Sequence, residues 1–180
     1  MSSSDSNGEH DHLRILIRDV PDFPSPGIIF KDITPLLNDS RAFHSSVEAM
    51  TSPYENGAIT VIAGIESRGF IFGAAASNRL GCRFIPVRKP GKLPWRTNRE
   101  EYELEYGTDA LELHTDALSE EDRVLIVDDL LATGGTLAAT RALVDRSGAT
   151  IVGASVLIEL DFLQGRQKLS EMEVHSILRY

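Results

Sequence analysis

Short apolar runs alternate with helical repeats along the middle of the chain. Apolar segments bounded by polar residues predict buried strands, and apolar residues three or four positions apart predict helices. The predicted strands are 28–33, 60–65, 84–87, 102–106, 110–114, 124–127, 151–157 and 174–178, and the predicted helices are 40–51, 68–80, 137–147 and 162–169. Because strands and helices take turns, we expect an α/β fold with a mainly parallel sheet that helices cover on both faces.

Two segments depart from this alternation. Four apolar residues between Leu13 and Val20 have helical spacing, and three prolines that follow predict an extended stretch. Residues 88–101 carry five Lys or Arg with two prolines and a glycine, which predicts a mobile basic loop. We expect a disordered polar tail over 1–12 and a single domain over 13–180.

The composition narrows the classes of function. The 180 residues carry a net charge of −9 without a basic cluster, so nucleic-acid binding is not expected as the main function. No apolar stretch approaches the ~20 residues that cross a bilayer, and the N-terminus does not resemble a signal peptide. The single cysteine, Cys82, permits no intrachain disulfide and is typical of a reducing compartment. We therefore expect a soluble, cytoplasmic protein that does not bind membranes.

The segment 124–136 combines a strand, two acids and a loop of small residues. The apolar run ends at Asp128 and Asp129, where we expect the strand to end. The loop consists of Ala132, Thr133, Gly134, Gly135 and Thr136. Loop amides and the positive end of a helix dipole attract phosphate, and glycines allow the backbone to take positive φ close to it. The segment therefore predicts a phosphate-binding loop with two threonine hydroxyls as further donors.

The two acids indicate which phosphate ester would bind. Ionised carboxylates only accept hydrogen bonds and repel phosphate, so they suit ribose hydroxyls or the waters around a divalent cation. The implied ligand is a ribose 5-phosphate with a metal close by. The P-loop and G-x-G-x-x-G patterns are missing from the sequence. The competing interpretation is an ordinary strand–turn–helix with a Gly-rich turn.

A second polar loop, Glu66-Ser67-Arg68, follows the strand 60–65. We expect Ser67 to cap the next helix, the loop amides to take an anion, and Arg68 to offer a planar fork for phosphate. Because ligands of open α/β sheets bind beyond the carboxyl ends of the strands, this loop should lie at the same sheet edge as the first. A plain helix cap beside a surface arginine is the alternative.

The segment 124–136 resembles the PRPP-binding signature of the type I phosphoribosyltransferases. PRPP is a ribose 5-phosphate that carries pyrophosphate on C1. The likeness continues in order over almost the whole chain beyond the tail and is specific for the adenine phosphoribosyltransferases in PDFPSPGIIFKDITPLL, RKPGKLP, YELEYG, GRQKL and VHSILRY. It implies the type I phosphoribosyltransferase fold, a twisted parallel sheet with a small hood at 13–37 and a flexible lid loop at 88–107.

The resemblance also assigns roles around PRPP. It makes 132–136 the 5-phosphate loop, and Asp128 and Asp129 the acceptors of the ribose hydroxyls. It makes Glu66, Ser67 and Arg68 the pyrophosphate loop, in which a non-proline cis peptide is typical, and we predict one around Glu66-Ser67. It implies that the basic residues Arg88, Lys89 and Lys92 neutralise the departing pyrophosphate. Mg²⁺ is implied as the cofactor, held through PRPP and water without direct protein ligands.

For the base, the resemblance implies backbone hydrogen bonds from Ile29 and Lys31 to adenine, with Phe30 nearby. Adenine has an acceptor at N1 beside a donor at N6, whereas 6-oxopurines have the reverse arrangement. A backbone group cannot be inverted by rotating a side chain, so this strand should reject hypoxanthine and guanine. Phe30 is equally compatible with core packing. The family often has Arg where this chain has Lys31.

Glu105 corresponds to the glutamate that the family is proposed to use in catalysis, with proton transfer near adenine N7 as its role. Tyr106 is expected to pack beside it. The residues alone do not distinguish Glu105 from Glu103 in the same strand. The resemblance favours Glu105.

The resemblance as a whole implies purine salvage, in which adenine and PRPP give AMP and pyrophosphate. It further implies a homodimer in which some basic-loop residues serve the neighbouring site. Two alternatives stay open at this point. The first is a phosphoribosyltransferase for a 6-oxopurine or a pyrimidine, and the second is a PRPP-sensing regulator without catalysis.

Overall fold

The computed structural model describes residues 10–56, 59–104, 107–169 and 171–180. The chain divides into two compact units, of which one ends at Ala49 and the other begins at Met50. The predicted single domain with a hood at 13–37 stays a prediction. Residues 1–9 of the predicted tail lie outside the described residues, and its last two residues, Asp11 and His12, are helical.

The first unit contains four short elements before its main helix. In chain order it contains α1 (Asp11–Arg14), β1 (Arg18–Pro21), β2 (Ile29–Asp32), α2 (Thr34–Leu37) and α3 (Ser40–Thr51), whose last two residues count with the second unit. Strands β1 and β2 pair antiparallel, with Val20 opposite Phe30. The predicted strand 28–33 and helix 40–51 are therefore confirmed.

The helix predicted between Leu13 and Val20 is wrong beyond Arg14, because Val20 lies in β1. Helical spacing over so few residues is equally compatible with a strand, and pairing with β2 decides the outcome. The turn between the strands is closed by Asp22, whose Oδ1 accepts a hydrogen bond from the Gly27 N–H at 2.7 Å. Gly27 has φ +87°, a conformation that costs glycine little.

The second unit is built around a five-stranded parallel sheet. In chain order it contains β3 (Val61–Ile65), α4 (Gly69–Leu80), β4 (Arg83–Val87), β5 (Thr97–Leu104), β6 (Gly107–His114), β7 (Arg123–Leu131), α5 (Gly135–Asp145), β8 (Thr150–Glu159) and β9 (Val174–Arg179), with 3-10 helices at Ser52–Tyr54, Asp161–Leu163 and Gly165–Leu169. The sheet order is β4-β3-β7-β8-β9, and every neighbouring pair is parallel. The predicted α/β fold with a mainly parallel sheet flanked by helices is confirmed.

The strand order creates a switch point between β3 and β7. After β3 the chain continues to β4 on one side, and after β7 it continues to β8 on the other side. Pairing between β3 and β7 ends at Gly64 and Val127, whereas β7 and β8 stay paired to Leu131 and Glu159. Ligands of open α/β sheets bind at such a point, so the fold itself directs attention to the loops after β3 and β7.

One apolar core holds the sheet, α5 and the β5–β6 hairpin together. Residues from the three sources, such as Ile126, Leu143 and Leu111, are fully buried in the same cluster. Burying a side chain of this size stabilises the fold by about 1.5–3 kcal/mol relative to leaving it in water. Because the core reaches under both β7 and α5, it fixes the two elements that flank the predicted phosphate loop.

Three further predictions about elements are corrected by the structure. Strand β7 does not end at Asp128 but includes both acids, because β8 continues to pair with it. The predicted mobile loop 88–101 is a strand from Thr97 onward, because β5 pairs with β6 along its whole length. The predicted helix 162–169 is two 3-10 helices separated by Gln164, which has φ +51°.

None of the helices in the described part of the chain has the length and hydropathy to cross a membrane.

Asp122 closes the end of the sheet opposite the switch point. Its Oδ1 accepts hydrogen bonds from Thr60 Oγ1 (3.0 Å) and from Arg83, and its Oδ2 accepts from the Ser119 N–H (2.8 Å). Burial by itself raises the pKa of Asp122, but the Arg83 guanidinium and the other donors outweigh it and lower the pKa to about 2. The folded state therefore stabilises the ionised carboxylate.

Replacing Asp122 by Asn is expected to lower the free energy of unfolding by about 1–2 kcal/mol at pH 7. Since the pKa is lowered in the folded state from 3.8 to about 2, this contribution is complete above pH 4 and is lost as the pH falls toward 2. Urea denaturation of both proteins at pH 7 and pH 2.5 measures it. A difference independent of pH would show that the carboxylate charge is not responsible.

Asp145→Asn is the matched control for Asp122→Asn. Asp145 Oδ2 lies 3.6 Å from Arg141 Nε in an exposed pair on one face of α5. Such pairs contribute about 0.5 kcal/mol or less, so this variant should unfold almost like the parent chain.

Candidate active site

A cavity of about 280 Å³ lies at the switch point between β3 and β7. Three parts of the second unit line it: the loop after β3, the end of β7 with the loop that follows, and two residues near the hairpin. The lining residues are Glu66, Ser67, Arg68, Lys89, Tyr102, Asp128, Asp129, Leu130, Leu131, Ala132, Thr133, Gly134, Thr136 and Leu137. Most of the predicted PRPP-site residues are thus brought together, although they come from segments far apart in the chain.

The predicted phosphate loop joins β7 to α5. Gly134 has φ +81° and is the N-cap of α5, so it is the glycine that the turn requires. Gly135 does not need positive φ, because it is the first residue of the helix and is buried there. Thr133 and Thr136 both line the cavity. The loop therefore places a helix N-terminus and two hydroxyls at the cavity wall, which is an arrangement that binds phosphate.

The phosphate loop packs directly on the backbone of a distant segment. A Cβ atom on Gly165 would overlap the Ala132 carbonyl oxygen and lie 3.0 Å from the Gly134 nitrogen. A Cβ on Gly134 would in turn overlap the Gly165 carbonyl oxygen. Gly165 opens a 3-10 helix whose next residue, Arg166, donates to both carboxylate oxygens of Glu159 at 2.6 and 2.7 Å. The loop thus has a backbone support that is anchored to β8.

The two acids lie side by side at the cavity and are almost completely buried. Asp128 Oδ1 accepts a hydrogen bond from the Asp129 N–H at 2.9 Å. Burial and the neighbouring Asp129 charge raise the pKa of Asp128 well above its ordinary value. Burial also raises the pKa of Asp129, although the Arg68 guanidinium opposes the rise. Two desolvated carboxyls at a cavity wall are costly, which is typical of groups kept for a ligand.

Asp129 has a buried oxygen that is ion-paired without an aligned hydrogen bond. Its Oδ2 lies 2.9 Å from Arg68 Nη2, yet no donor in the described part of the chain is aligned to hydrogen-bond with this buried oxygen. The Arg68 charge offsets part of the cost of burying this oxygen, and a ligand hydroxyl would supply the hydrogen bond that it lacks. The geometry therefore suits a hydroxyl-bearing ligand such as a ribose.

The loop after β3 contains the predicted cis peptide bond, which is confirmed between Glu66 and Ser67. The prediction that Ser67 caps the next helix is wrong, because α4 has Arg68 as its N-cap without a side-chain cap. The first turn is closed by the backbone instead, with the Phe70 N–H donating to the Ser67 carbonyl at 3.3 Å. Arg68 lies beside the acids, so its fork is already partly engaged by Asp129.

The three predicted cations lie in different surroundings. Lys89 lines the cavity. Arg88 is not among the lining residues, and its Nε instead donates to Glu66 Oε2 at 2.9 Å. The Lys92 side chain is exposed and does not line the cavity, although its carbonyl accepts from Arg88 Nη1 at 3.2 Å. Of the three, Lys89 is placed to meet an anion directly.

The predicted base-binding residues belong to the first unit. Ile29 and Lys31 are two positions apart in β2, so their backbone groups point to the same edge of the strand. Ile29 is 58% exposed, and Phe30 packs edge to face on Phe23 with ring centroids 5.1 Å apart. Lys31 Nζ lies 2.6 Å from Asp19 Oδ1. The Lys31 side chain is thus engaged within its own hairpin, and its backbone remains the group of interest.

Two predicted site residues, Glu105 and Tyr106, lie outside the described residues. Among the residues that are described, no three His, Cys, Asp or Glu side chains converge as a metal cage would require.

The comparisons with known proteins agree with this geometry. Residues 38–176 match the family model described as a phosphoribosyl transferase domain. An adenine phosphoribosyltransferase of Methylococcus capsulatus is 52% identical over 94% of this chain and 99% of its own length. The chain belongs to the adenine phosphoribosyltransferase family.

Solved structures of this family have the same fold as the chain. The adenine phosphoribosyltransferase of Thermoanaerobacter pseudethanolicus is 50% identical, covers 95% of this chain and 99% of its own, and superposes with a TM-score of 0.92. The Saccharomyces cerevisiae enzyme, solved with adenine and an imino-altritol bisphosphate, is 38% identical, with coverage of 94% and 98% and a TM-score of 0.89. The type I phosphoribosyltransferase fold of the chain is therefore established.

Sequence reasoning missed several residues that shape this family site. Tyr102 lines the cavity, Asp109 contacts Lys89, and Gly165 supports the phosphate loop. Gly69 is also required, because a Cβ there would lie 2.7 Å from Asp128 Oδ1. The only sequence signal was that Tyr102 and Gly165 fall in stretches that resemble the family. Their contacts span long distances along the chain and leave no local pattern.

Proposed function

We propose that the chain transfers the 5-phosphoribosyl group from PRPP to adenine, giving AMP and pyrophosphate in purine salvage. The observation that carries the proposal is the buried acid pair lying between two anion-binding loops in one cavity. The 5-phosphate binds the loop 132–136, Asp128 and Asp129 accept the ribose hydroxyls, and the pyrophosphate faces Ser67, Arg68 and Lys89. Family membership at 52% identity over nearly the whole chain supports the same activity.

The residues of the cavity act mainly by positioning and by charge. As the bond from C1 to the pyrophosphate oxygen breaks, the ribose gains positive charge and the leaving group gains negative charge. Lys89 and Arg68 stabilise the leaving group, while the acids hold the ribose in place. Adenine N9 forms the new bond to C1 with inversion, and the imidazole proton of adenine leaves from N7 toward Glu105. Excluding water from the site prevents hydrolysis of PRPP.

Adenine is selected by the backbone of β2 at Ile29 and Lys31. Two supports come from the first unit: β2 has a single strand partner among the described residues, and the apolar side chains of Phe23, Ile28 and Ile29 are exposed there. The backbone of an outer strand beside exposed apolar side chains suits a flat base that needs one donor and one acceptor. Glu105 takes part in proton transfer near adenine N7, with Tyr106 beside it.

Magnesium is the proposed cofactor, and the buried carboxyls of Asp128 and Asp129 are the described groups that suit it. Mg²⁺ usually keeps several waters and binds through one or two carboxylates together with substrate phosphates, and the carboxyls of Asp128 and Asp129 would suit those waters. When bound, the ion neutralises charge on the pyrophosphate.

Arg88 acts indirectly, because its contact with Glu66 supports the pyrophosphate loop. Three further parts of the proposal rest on the resemblance alone. Lys92 helps to neutralise the pyrophosphate, the protein is cytoplasmic, and it forms a homodimer.

The activity is tested by incubating the chain with PRPP, Mg²⁺ and either adenine, hypoxanthine, guanine or uracil. AMP is expected from adenine, with the other bases turned over at least about 100-fold less, because mispaired buried groups cost about 1–3 kcal/mol each. Turnover of a 6-oxopurine or uracil would contradict the role of Ile29 and Lys31 but keep the cavity assignment. PRPP binding without turnover of any base would indicate a regulator.

A further inference from the structure

Lys89 is held by two residues that face each other across the β5–β6 hairpin. Tyr102 and Asp109 are directly paired in the register of the two strands. Lys89 Nζ donates to the Tyr102 hydroxyl at 3.1 Å and forms an ion pair with Asp109 Oδ2. The Tyr102 hydroxyl also lies 3.3 Å from Asp109 Oδ2, so the three groups form a closed set of contacts.

The same lysine is tied by its backbone to the predicted pyrophosphate loop. The Lys89 N–H donates to Glu66 Oε2 at 3.1 Å. Lys89 and Tyr102 both line the cavity, whereas Asp109 lies behind them and is not among the lining residues. Lys89 therefore stands between the loop that would bind pyrophosphate and the hairpin that carries its counter-ion.

An ammonium group has three N–H donors, and Asp109 and Tyr102 occupy two of them. A pyrophosphate group that meets Lys89 must share the ammonium with the Asp109 carboxylate. It must also bind close to the negative charge of that carboxylate, which is only partly exposed and so is less screened than a surface charge. Asp109 thus competes with the ligand for the same cation.

Resting on the proposed function, we propose that Asp109 sets the affinity of the site for pyrophosphate. It holds Lys89 while the pyrophosphate position is free and partly gives it up when PRPP or pyrophosphate binds. The ion pair therefore weakens pyrophosphate binding and favours release of this product. Asp109 does not touch the substrate, so it acts through Lys89.

The test is calorimetric titration of the full chain with magnesium pyrophosphate. Asp109→Asn is expected to bind pyrophosphate about tenfold more tightly, because one opposing charge is removed close to the ligand. The gain in pyrophosphate affinity should shrink as the KCl concentration is raised. The KM of Asp109→Asn for PRPP should be lower than that of the parent chain. A residue that merely supported the fold would weaken binding when replaced, so the sign of the change separates the two roles.

Four further variants make the test specific. Asp116→Asn removes the same charge from an exposed position after β6, and its pyrophosphate affinity should stay within twofold of the parent chain. In a Lys89→Met background, Asp109→Asn should change the affinity less than threefold, since Asp109 acts through the lysine. If Asp109→Asn folds poorly, Asp109→Ala is used in its place, and its unfolding temperature is measured alongside its pyrophosphate affinity.

The outcomes are distinguishable. Tighter binding in Asp109→Asn that disappears in the Lys89→Met background supports the proposal. Unchanged or weaker binding in folded Asp109 variants overturns it while the parent chain still binds pyrophosphate and forms AMP. Absence of pyrophosphate binding in the parent chain itself overturns both this inference and the proposed function.

Discussion

Replacing Asp129 by Asn is expected to lower kcat/KM for AMP formation by about 100-fold or more while the chain stays folded. Asp129 Oδ2 is buried beside the cavity and has no aligned donor in the described structure, and under the proposed function a ribose hydroxyl supplies that hydrogen bond. The amide group of Asn weakens that acceptor and removes the charge that faces Arg68. Burial raises the pKa of Asp129, and the Arg68 guanidinium opposes that rise.

The measurement compares steady-state AMP formation with the binding of AMP and its 2′- and 3′-deoxy analogues. The parent chain should prefer AMP, and Asp129→Asn should lose discrimination against at least one analogue while pyrophosphate binding stays within about threefold. Asp116→Asn, with the same change in charge at an exposed position, should behave like the parent chain. Near-normal turnover by folded Asp129→Asn would remove Asp129 from the mechanism.

Replacing Gly165 by Ala is expected to weaken AMP binding about 100-fold, although Gly165 is about thirty residues from the phosphate loop. A Cβ there would overlap the Ala132 carbonyl oxygen and lie 2.8 Å from Leu131 Cδ1, so the loop must move. Residue 165 is hindered from moving away from the loop, because the next residue, Arg166, donates hydrogen bonds to Glu159 and to the Val174 carbonyl (2.9 Å). The loop 132–136 is therefore the part that must move.

The discriminating measurement is the binding of two ligands to the same variant. AMP carries the 5-phosphate and should bind Gly165→Ala weakly, whereas pyrophosphate should bind within about threefold of the parent affinity. Gly81→Ala is the matched control. A Cβ at Gly81 meets nothing within 4 Å, but the φ of +66° makes the substitution cost about 1 kcal/mol of stability. Equal loss of both ligands in Gly165→Ala would indicate general unfolding instead.

Several elements could be predicted because their signals are local. The apolar runs of β3 and β4 and the periodic helix α3 lie within one or two residues of the predicted positions. A buried parallel strand is written as a continuous apolar run, and an amphipathic helix as a repeat of three to four residues. These patterns need no knowledge of the partner element.

Strand β5 shows where local signals fail. Its residues from Thr97 to Glu101 are polar or charged and predict a loop, yet they pair with β6. The pairing is decided across the hairpin, where Arg99 lies opposite Glu112 and the apolar Leu111 and Leu113 of β6 enter the core. Strand formation here depends on the partner strand more than on the strand's own residues.

Residues 128–136 alone predict the chemistry of the site, because acids, loop and helix start lie together in this segment and a close family resemblance covers the chain. The distant groups that contact this segment are known from the folded structure alone. It placed Gly165 under the phosphate loop, Asp109 on Lys89 and Arg68 beside Asp129. Contacts between residues far apart in the chain arise from strand order and core packing, and these are properties of the whole fold that no single segment encodes.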